Sequence, residues 1–102
     1  MREKELVKRI MKQLRASGAK VLKLHGDAFI EMGTPDLLGC YRGRAFAIEA
    51  KAEGNETTEI QDLRLREWSA AGALTAVARE DFDAGAFLAK CSGQEERRTD
   101  HG

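Results

Sequence analysis

An acid at Asp36, an acid at Glu49 and a lysine at Lys51 can act together only if the chain folds back between them. The intervening residues indicate that it does. Residues 36–41 (Asp-Leu-Leu-Gly-Cys-Tyr) and 44–51 (Arg-Ala-Phe-Ala-Ile-Glu-Ala-Lys) read as strands, and Arg42-Gly43 between them as a two-residue hairpin turn. Such a turn puts Tyr41 opposite Arg44. Counting back along both strands, Asp36 falls opposite Glu49. Facing β-carbons lie about 4.5–5.5 Å apart, and like charges that close repel. A cation must compensate, or one carboxyl must hold a proton. Lys51 lies two residues beyond Glu49 and projects from the same face, whereas Phe46, Ile48 and Ala50 project from the other, toward a core. A slip of one residue would turn Asp36 to the wrong side.

Two converging carboxylates suit a hard divalent cation. Magnesium prefers oxygen ligands, accepts one or two carboxylates and keeps several waters. Such an ion lowers the pKa of a bound water and neutralises charge on a phosphate. A neighbouring lysine can steady the attacking water or the developing negative charge. These are the parts needed to hydrolyse a phosphodiester.

The ordered set Gly33-Thr34-Pro35-Asp36, Ile48-Glu49-Ala50-Lys51, Gln61 early in the next helix, then Ala71-Gly72 before a strand, resembles the PD-(D/E)XK nuclease superfamily. More narrowly it is similar to the VRR-NUC (virus-type replication-repair nuclease) family in its short, stand-alone form. The resemblance spans about Glu3 to Ala78. It is the order that is specific, since a bare Pro-Asp or Glu-x-Lys is common. The resemblance implies metal ligation by the Asp36 and Glu49 side chains and the Ala50 backbone carbonyl, a catalytic role for Lys51, and a place for Gln61 lining the site. It also implies an acid on the first helix, for which Glu3 and Glu5 compete. At about 100° per residue, Glu3 shares the stripe of Val7, Ile10 and Leu14, and Glu5 points nearly opposite, which favours Glu3. Lys23, before the following loop, is implied to contact substrate phosphate.

The elements that must position these residues follow from periodicity and punctuation. Leu6, Val7, Ile10, Met11 and Leu14 make an apolar helical stripe over 2–17, stopped at Ser17-Gly18. Val21, Leu22 and Leu24 suggest a short strand, and His25 to Gly33 a loop carrying Phe29 and Ile30. After a polar loop from Ala52 to Thr57, Thr58-Glu59-Ile60-Gln61 matches a capping box, so a helix runs from about 59 to 71. Residues 74–78 read as a strand, 81–89 as a last helix, and 92–102 as a polar tail. The expected fold is α/β: a mixed sheet of about four strands flanked by helices, in the order α-β-β-β-α-β-α. Residues 1–91 form one domain.

The chain has 102 residues, 42% hydrophobic and 33% charged, with a single proline. That excludes a disordered chain and allows one modest core. No apolar run approaches the roughly 20 residues of a membrane span, and charge from Arg2 onward does not read as a secretory signal. Cys40 and Cys91 are too far apart in sequence for a CxxC motif, so reduced, inert thiols in a cytoplasmic setting are the simplest expectation.

Seventeen basic and 17 acidic residues give zero net charge, so composition lends no support to a polyanion partner. The first helix nevertheless concentrates Arg2, Lys4, Lys8, Arg9, Lys12 and Arg15. Lys8 and Lys12 are expected DNA contacts there, as is Arg64, with Arg66, on the helix after the hairpin.

Plainer roles compete at each position. Glu49 and Lys51 also fit an exposed ion pair at a strand end. Gln61 can close the capping box and still line a site. An acid at position 3 also suits the positive end of a helix dipole. Trp68 reads as core or interface, and His25 and His101 are not expected ligands. Taken together, the expectation is a magnesium- or manganese-dependent endonuclease acting on branched DNA, flaps or four-way (Holliday) junctions, in replication, repair or recombination. The resemblance implies a phage or mobile-element setting and a homodimer or larger symmetric assembly. The alternatives are a non-catalytic nucleic-acid-binding module, a sequence-specific restriction-type nuclease on the same fold, and an interaction domain whose acid–lysine group is a surface salt bridge.

Overall fold

The computed structural model describes residues 1–26 and 29–93. Seven elements follow one another: α1 (Glu3–Ala16), β1 (Lys20–Lys23), β2 (Leu37–Tyr41), β3 (Arg44–Ala50), α2 (Glu59–Ala70), β4 (Leu74–Ala78) and α3 (Ala84–Cys91). The sheet runs β1-β2-β3-β4, antiparallel across the first two pairings and parallel between β3 and β4. The order and the mixed four-stranded sheet match the expectation. The expected tail, with His101, lies outside the described residues from 94 onward. Ser92 caps α3 and is itself buried. Among the described residues no helix is long and apolar enough to cross a membrane.

The hairpin explains the register. Arg42 and Gly43 both take positive φ, 49° and 86°, as a type I′ turn requires and as its twist match with the strands favours. Tyr41 therefore pairs with Arg44 and Leu37 with Ile48. At its middle, Gly39 pairs with Phe46, whose ring lies so close that a β-carbon on Gly39 would overlap it and the Lys20 carbonyl oxygen. The turn and this contact agree on one alignment.

Period two then sorts β3 into faces. Phe46, Ile48 and Ala50 are fully buried beneath α1 and α3, with Leu6, Val7, Ile10 and Leu14 from α1 and Phe87 and Leu88 from α3. Burying each large aliphatic side chain contributes about 1.5–3 kcal/mol. Phe87 meets Phe46 edge-on at 5.6 Å. On the opposite face, Ala47 and Glu49 are also buried, and α2 packs over β3 and β4. Cys91 is buried near the carbonyls of Arg44 and Tyr41, and burial pushes its thiol pKa up.

Several boundaries move for local reasons. The last helix begins at Ala84, not 81, because the Phe82 N–H closes a turn onto the Arg79 carbonyl and the Asp83 side chain then accepts from the Ala86 N–H as N-cap. Leu24 falls outside β1, yet its N–H still reaches the Asp36 carbonyl at 2.9 Å. Lys51 follows β3, and its N–H donates to the Ala78 carbonyl at 2.9 Å. The pairing with β4 thus continues to the residue that bears the ammonium.

Candidate functional site

Asp36 sits where β2 and β3 part. Buried Pro35 precedes it and has no N–H to satisfy. Its carbonyl accepts from Leu24, and its Oδ2 accepts from the Ala50 N–H at 2.9 Å. A side chain thus bonds the backbone of β3 just beyond the β2–β3 ladder, which fixes the carboxylate beside Glu49. Glu49, penultimate in β3, is only 3% exposed. Gln61 reaches it from the first turn of α2: Nε2 donates to Glu49 Oε2 at 3.1 Å while Oε1 accepts from the Thr58 N–H at 2.9 Å. The Thr58 hydroxyl accepts from the Gln61 N–H in return. The capping box and the site therefore use opposite ends of one amide. Lys51 Nζ lies 4.0 Å from Glu49 Oε2 and 3.8 Å from Glu3 Oε1. The structure thus brings Asp36, Glu49, Lys51, Gln61 and Glu3 together.

Burial is the main reason that Glu49 has a pKa of about 8 rather than 4.5. The Asp36 charge and a hydrogen bond to its side chain push the same way, and Lys51 pulls back. When Glu49 is ionised, its buried Oε1 has no hydrogen-bond partner among the described residues. When it is protonated, the added proton lets it donate to Asp36. A buried anionic oxygen without a donor is costly, and a cation between the two acids would satisfy it. No group of three or more His, Cys, Asp or Glu side chains is close enough to hold a metal among the described residues. The donor set fits magnesium or manganese, which accept one or two carboxylates and fill the remaining positions with water and phosphate oxygens. The Ala50 carbonyl and Glu3 are the remaining oxygen donors that the sequence suggested.

Comparison with family models returned no match, and comparison with curated proteins returned none. The chain is a small α/β domain, and its mixed sheet with flanking helices is consistent with a PD-(D/E)XK-like superfamily fold.

A cleft of about 450 Å³ opens beside the acids, lined by Glu3, Lys4, Val7, Lys23, His25 and Asp36. A second, of about 480 Å³, shares Asp36 and His25 and runs under Ile30, Met32 and Thr34. Lys23 is therefore in the cleft wall, as a phosphate contact needs. Lys8 and Lys12 are exposed, one turn apart on α1. Three arginines are committed elsewhere, whereas Arg2, Lys4 and Arg66 are exposed. Arg9 donates to the Glu80 carbonyl and Arg15 to the Val21 carbonyl. Arg64, expected to contact DNA, binds the Met32 carbonyl at 3.0 Å and pairs with Glu67 and Glu31, with 17% of its side chain exposed. It fastens the loop before β2 to α2. Gly33 packs beside it, where a β-carbon would stand 2.9 Å from the Ile60 carbonyl oxygen.

Two residues that sequence did not single out belong to the surroundings of the site. Asn55 donates from Nδ2 to Glu3 Oε2 at 3.0 Å, and Arg79 binds the carbonyls of Ala52 and Asn55. A polar loop and an arginine after a strand carry no local signal for either role.

Proposed function

We propose that this chain is a divalent-metal-dependent DNA endonuclease of the VRR-NUC kind, hydrolysing phosphodiester bonds in branched DNA such as flaps or four-way junctions. The observation that carries the proposal is the meeting of Asp36 and Glu49 at the parting of two strands, with one buried Glu49 oxygen lacking a donor among the described residues. Asp36 and Glu49, with the Ala50 carbonyl, would hold magnesium or manganese. When bound, that ion would polarise the phosphate and acidify the attacking water.

The protein's own residues do the rest. Gln61 holds Glu49 in one orientation from a helix start that its other end secures. Asp36 is locked by the Ala50 N–H. Lys51, 12% exposed and 4.0 Å from Glu49, orients the water and stabilises negative charge as it develops on the phosphate. Lys23 in the cleft wall would contact the DNA backbone, with Lys8 and Lys12, exposed on α1, as further cationic contacts. A chain of this size covers little DNA alone, so two copies related by a two-fold axis would present two sites to a junction.

The test is incubation of the purified protein with linear, flapped and four-way DNA, in magnesium, manganese or chelator, beside Lys51→Ala. Metal-dependent nicking of the branched substrates that Lys51→Ala loses is expected. Metal-independent binding without cutting would leave a nucleic-acid-binding module. Equal cutting by Lys51→Ala would remove that lysine from the chemistry.

A further inference from the structure

We infer that Asn55 is a positioning residue: its amide fixes the Glu3 carboxylate, which in turn holds the Lys51 ammonium off Glu49. The inference deepens the nuclease proposal and rests on it for its consequence in catalysis.

Glu3 comes from α1, Asn55 from the loop after β3, and Lys51 from the end of β3. The two Glu3 oxygens divide their work. Oε2 accepts from Asn55 Nδ2 at 3.0 Å, and Oε1 faces Lys51 Nζ at 3.8 Å. Left to itself, Glu3 would not hold this pose. It is the first residue of its helix, the preceding Arg2 makes no side-chain cap, and its side chain is 37% exposed. A long, half-exposed carboxylate samples many rotamers. The Asn55 amide selects one of them, and being neutral it leaves the Glu3 charge available to Lys51.

Asn55 is itself held from behind. Arg79 Nη1 donates to the Asn55 carbonyl at 2.8 Å and to the Ala52 carbonyl at 3.2 Å, and Nη2 pairs with Glu56 at 3.5 Å. The adjacent Glu80 accepts from the Glu53 N–H on its side chain and from Arg9 of α1 on its carbonyl. The turn at 79–80 therefore anchors both the loop and α1, and so places Asn55 and Glu3 in one frame.

Lys51 consequently stands between a buried acid at 4.0 Å and a partly exposed one at 3.8 Å, at hydrogen-bonding length from neither. Neither acid holds it in a short hydrogen bond, which leaves its donors available to a phosphate bound beside Asp36. Without a fixed Glu3, nothing opposes the pull of ionised Glu49 on Lys51, and the two form a closed pair.

The experiment is a double-mutant cycle of Glu3→Ala and Asn55→Ala, followed by nicking kinetics with manganese and by NMR of the Lys51 Cε and Nζ resonances. Asn55 is exposed, so its variant is expected to fold like the wild type. Asn55→Ala is expected to lower kcat by about tenfold with KM within about twofold, and to change kcat by less than about twofold when Glu3 is already Ala. An undiminished effect in the Glu3→Ala background would overturn the inference, because Asn55 would then act by another route. The NMR arm needs no activity: Asn55→Ala and Glu3→Ala should shift the Lys51 resonances alike, and unmoved resonances in Asn55→Ala would overturn the inference whether or not the protein cuts DNA. Shifted resonances in a protein that never nicks DNA would uphold the positioning and defeat the nuclease proposal alone.

Discussion

The Asp36 carboxylate accepts a 2.9 Å hydrogen bond from the backbone N–H of Ala50, the residue that follows Glu49. One contact does two things. It satisfies a buried donor just past the β2–β3 ladder, and it holds a negative charge against a second, buried acid.

These two effects can be separated by substitution. Asp36→Asn keeps an acceptor for Ala50 and removes the charge, whereas Asp36→Ala leaves the N–H unpaired at a cost of about 1–3 kcal/mol. In chelator, urea unfolding is expected to rank the Asn variant at or above the wild type and the Ala variant below the Asn variant. Both variants should lose calorimetric manganese binding. Retained binding by either one would mean that Asp36 is not a ligand.

Glu49 makes stability depend on pH with a defined sign. Its folded-state pKa, about 8, lies above its ordinary 4.5, so folding favours the protonated form. The contribution is fully present below about pH 4.5, declines as the unfolded chain loses its proton more readily, and is gone once the pH has risen through about 8. Glu49→Gln removes that titration and keeps an acceptor for Gln61. In metal-free buffer the variant should gain on the wild type steadily from pH 4.5 to 8. Parallel unfolding curves across that window would show that Glu49 ionises normally.

Manganese binding should release protons at neutral pH. Ligation needs the carboxylate, and at pH 7 Glu49 is mostly protonated. Calorimetry in buffers of different ionisation enthalpy should report close to one proton released per site at pH 7, fading above pH 8. Release that does not vary with pH would place the metal away from Glu49.

Register is what places the two acids together, and Gly39 guards it. A β-carbon there would collide with the Lys20 carbonyl oxygen and the Phe46 ring, on both sides of the strand. Gly39→Ala is therefore expected to destabilise by more than the usual ~1 kcal/mol of a glycine exchange and to abolish manganese binding with it. Wild-type thermal stability in Gly39→Ala would contradict the close packing described for β2.

Much of this arrangement was legible in the sequence because it depends on short-range rules. A two-residue turn sets hairpin register, so the opposition of Asp36 and Glu49 could be counted from Arg42-Gly43. Alternation in β3 separated Phe46 and Ile48 from Glu49 and Lys51, and Thr58 to Gln61 announced the start of α2. The helical stripe also favoured Glu3 over Glu5, and Glu3 is the acid that meets Lys51. The repulsion between facing acids, with its two remedies, followed from the register alone.

Tertiary structure decided what depends on meetings between distant segments. Sequence could not tell that α2 buries Glu49 deeply enough to push its pKa to about 8, because desolvation is set by what packs above a residue. Nor could a tally of charges show that Arg9, Arg15 and Arg64 are spent on backbone carbonyls while Lys8 and Lys12 remain exposed. The joining of Asn55 to Glu3, 52 positions apart, is of the same kind. Local pattern specifies which residues a strand or helix presents, and only the packing of one element on another selects their partners.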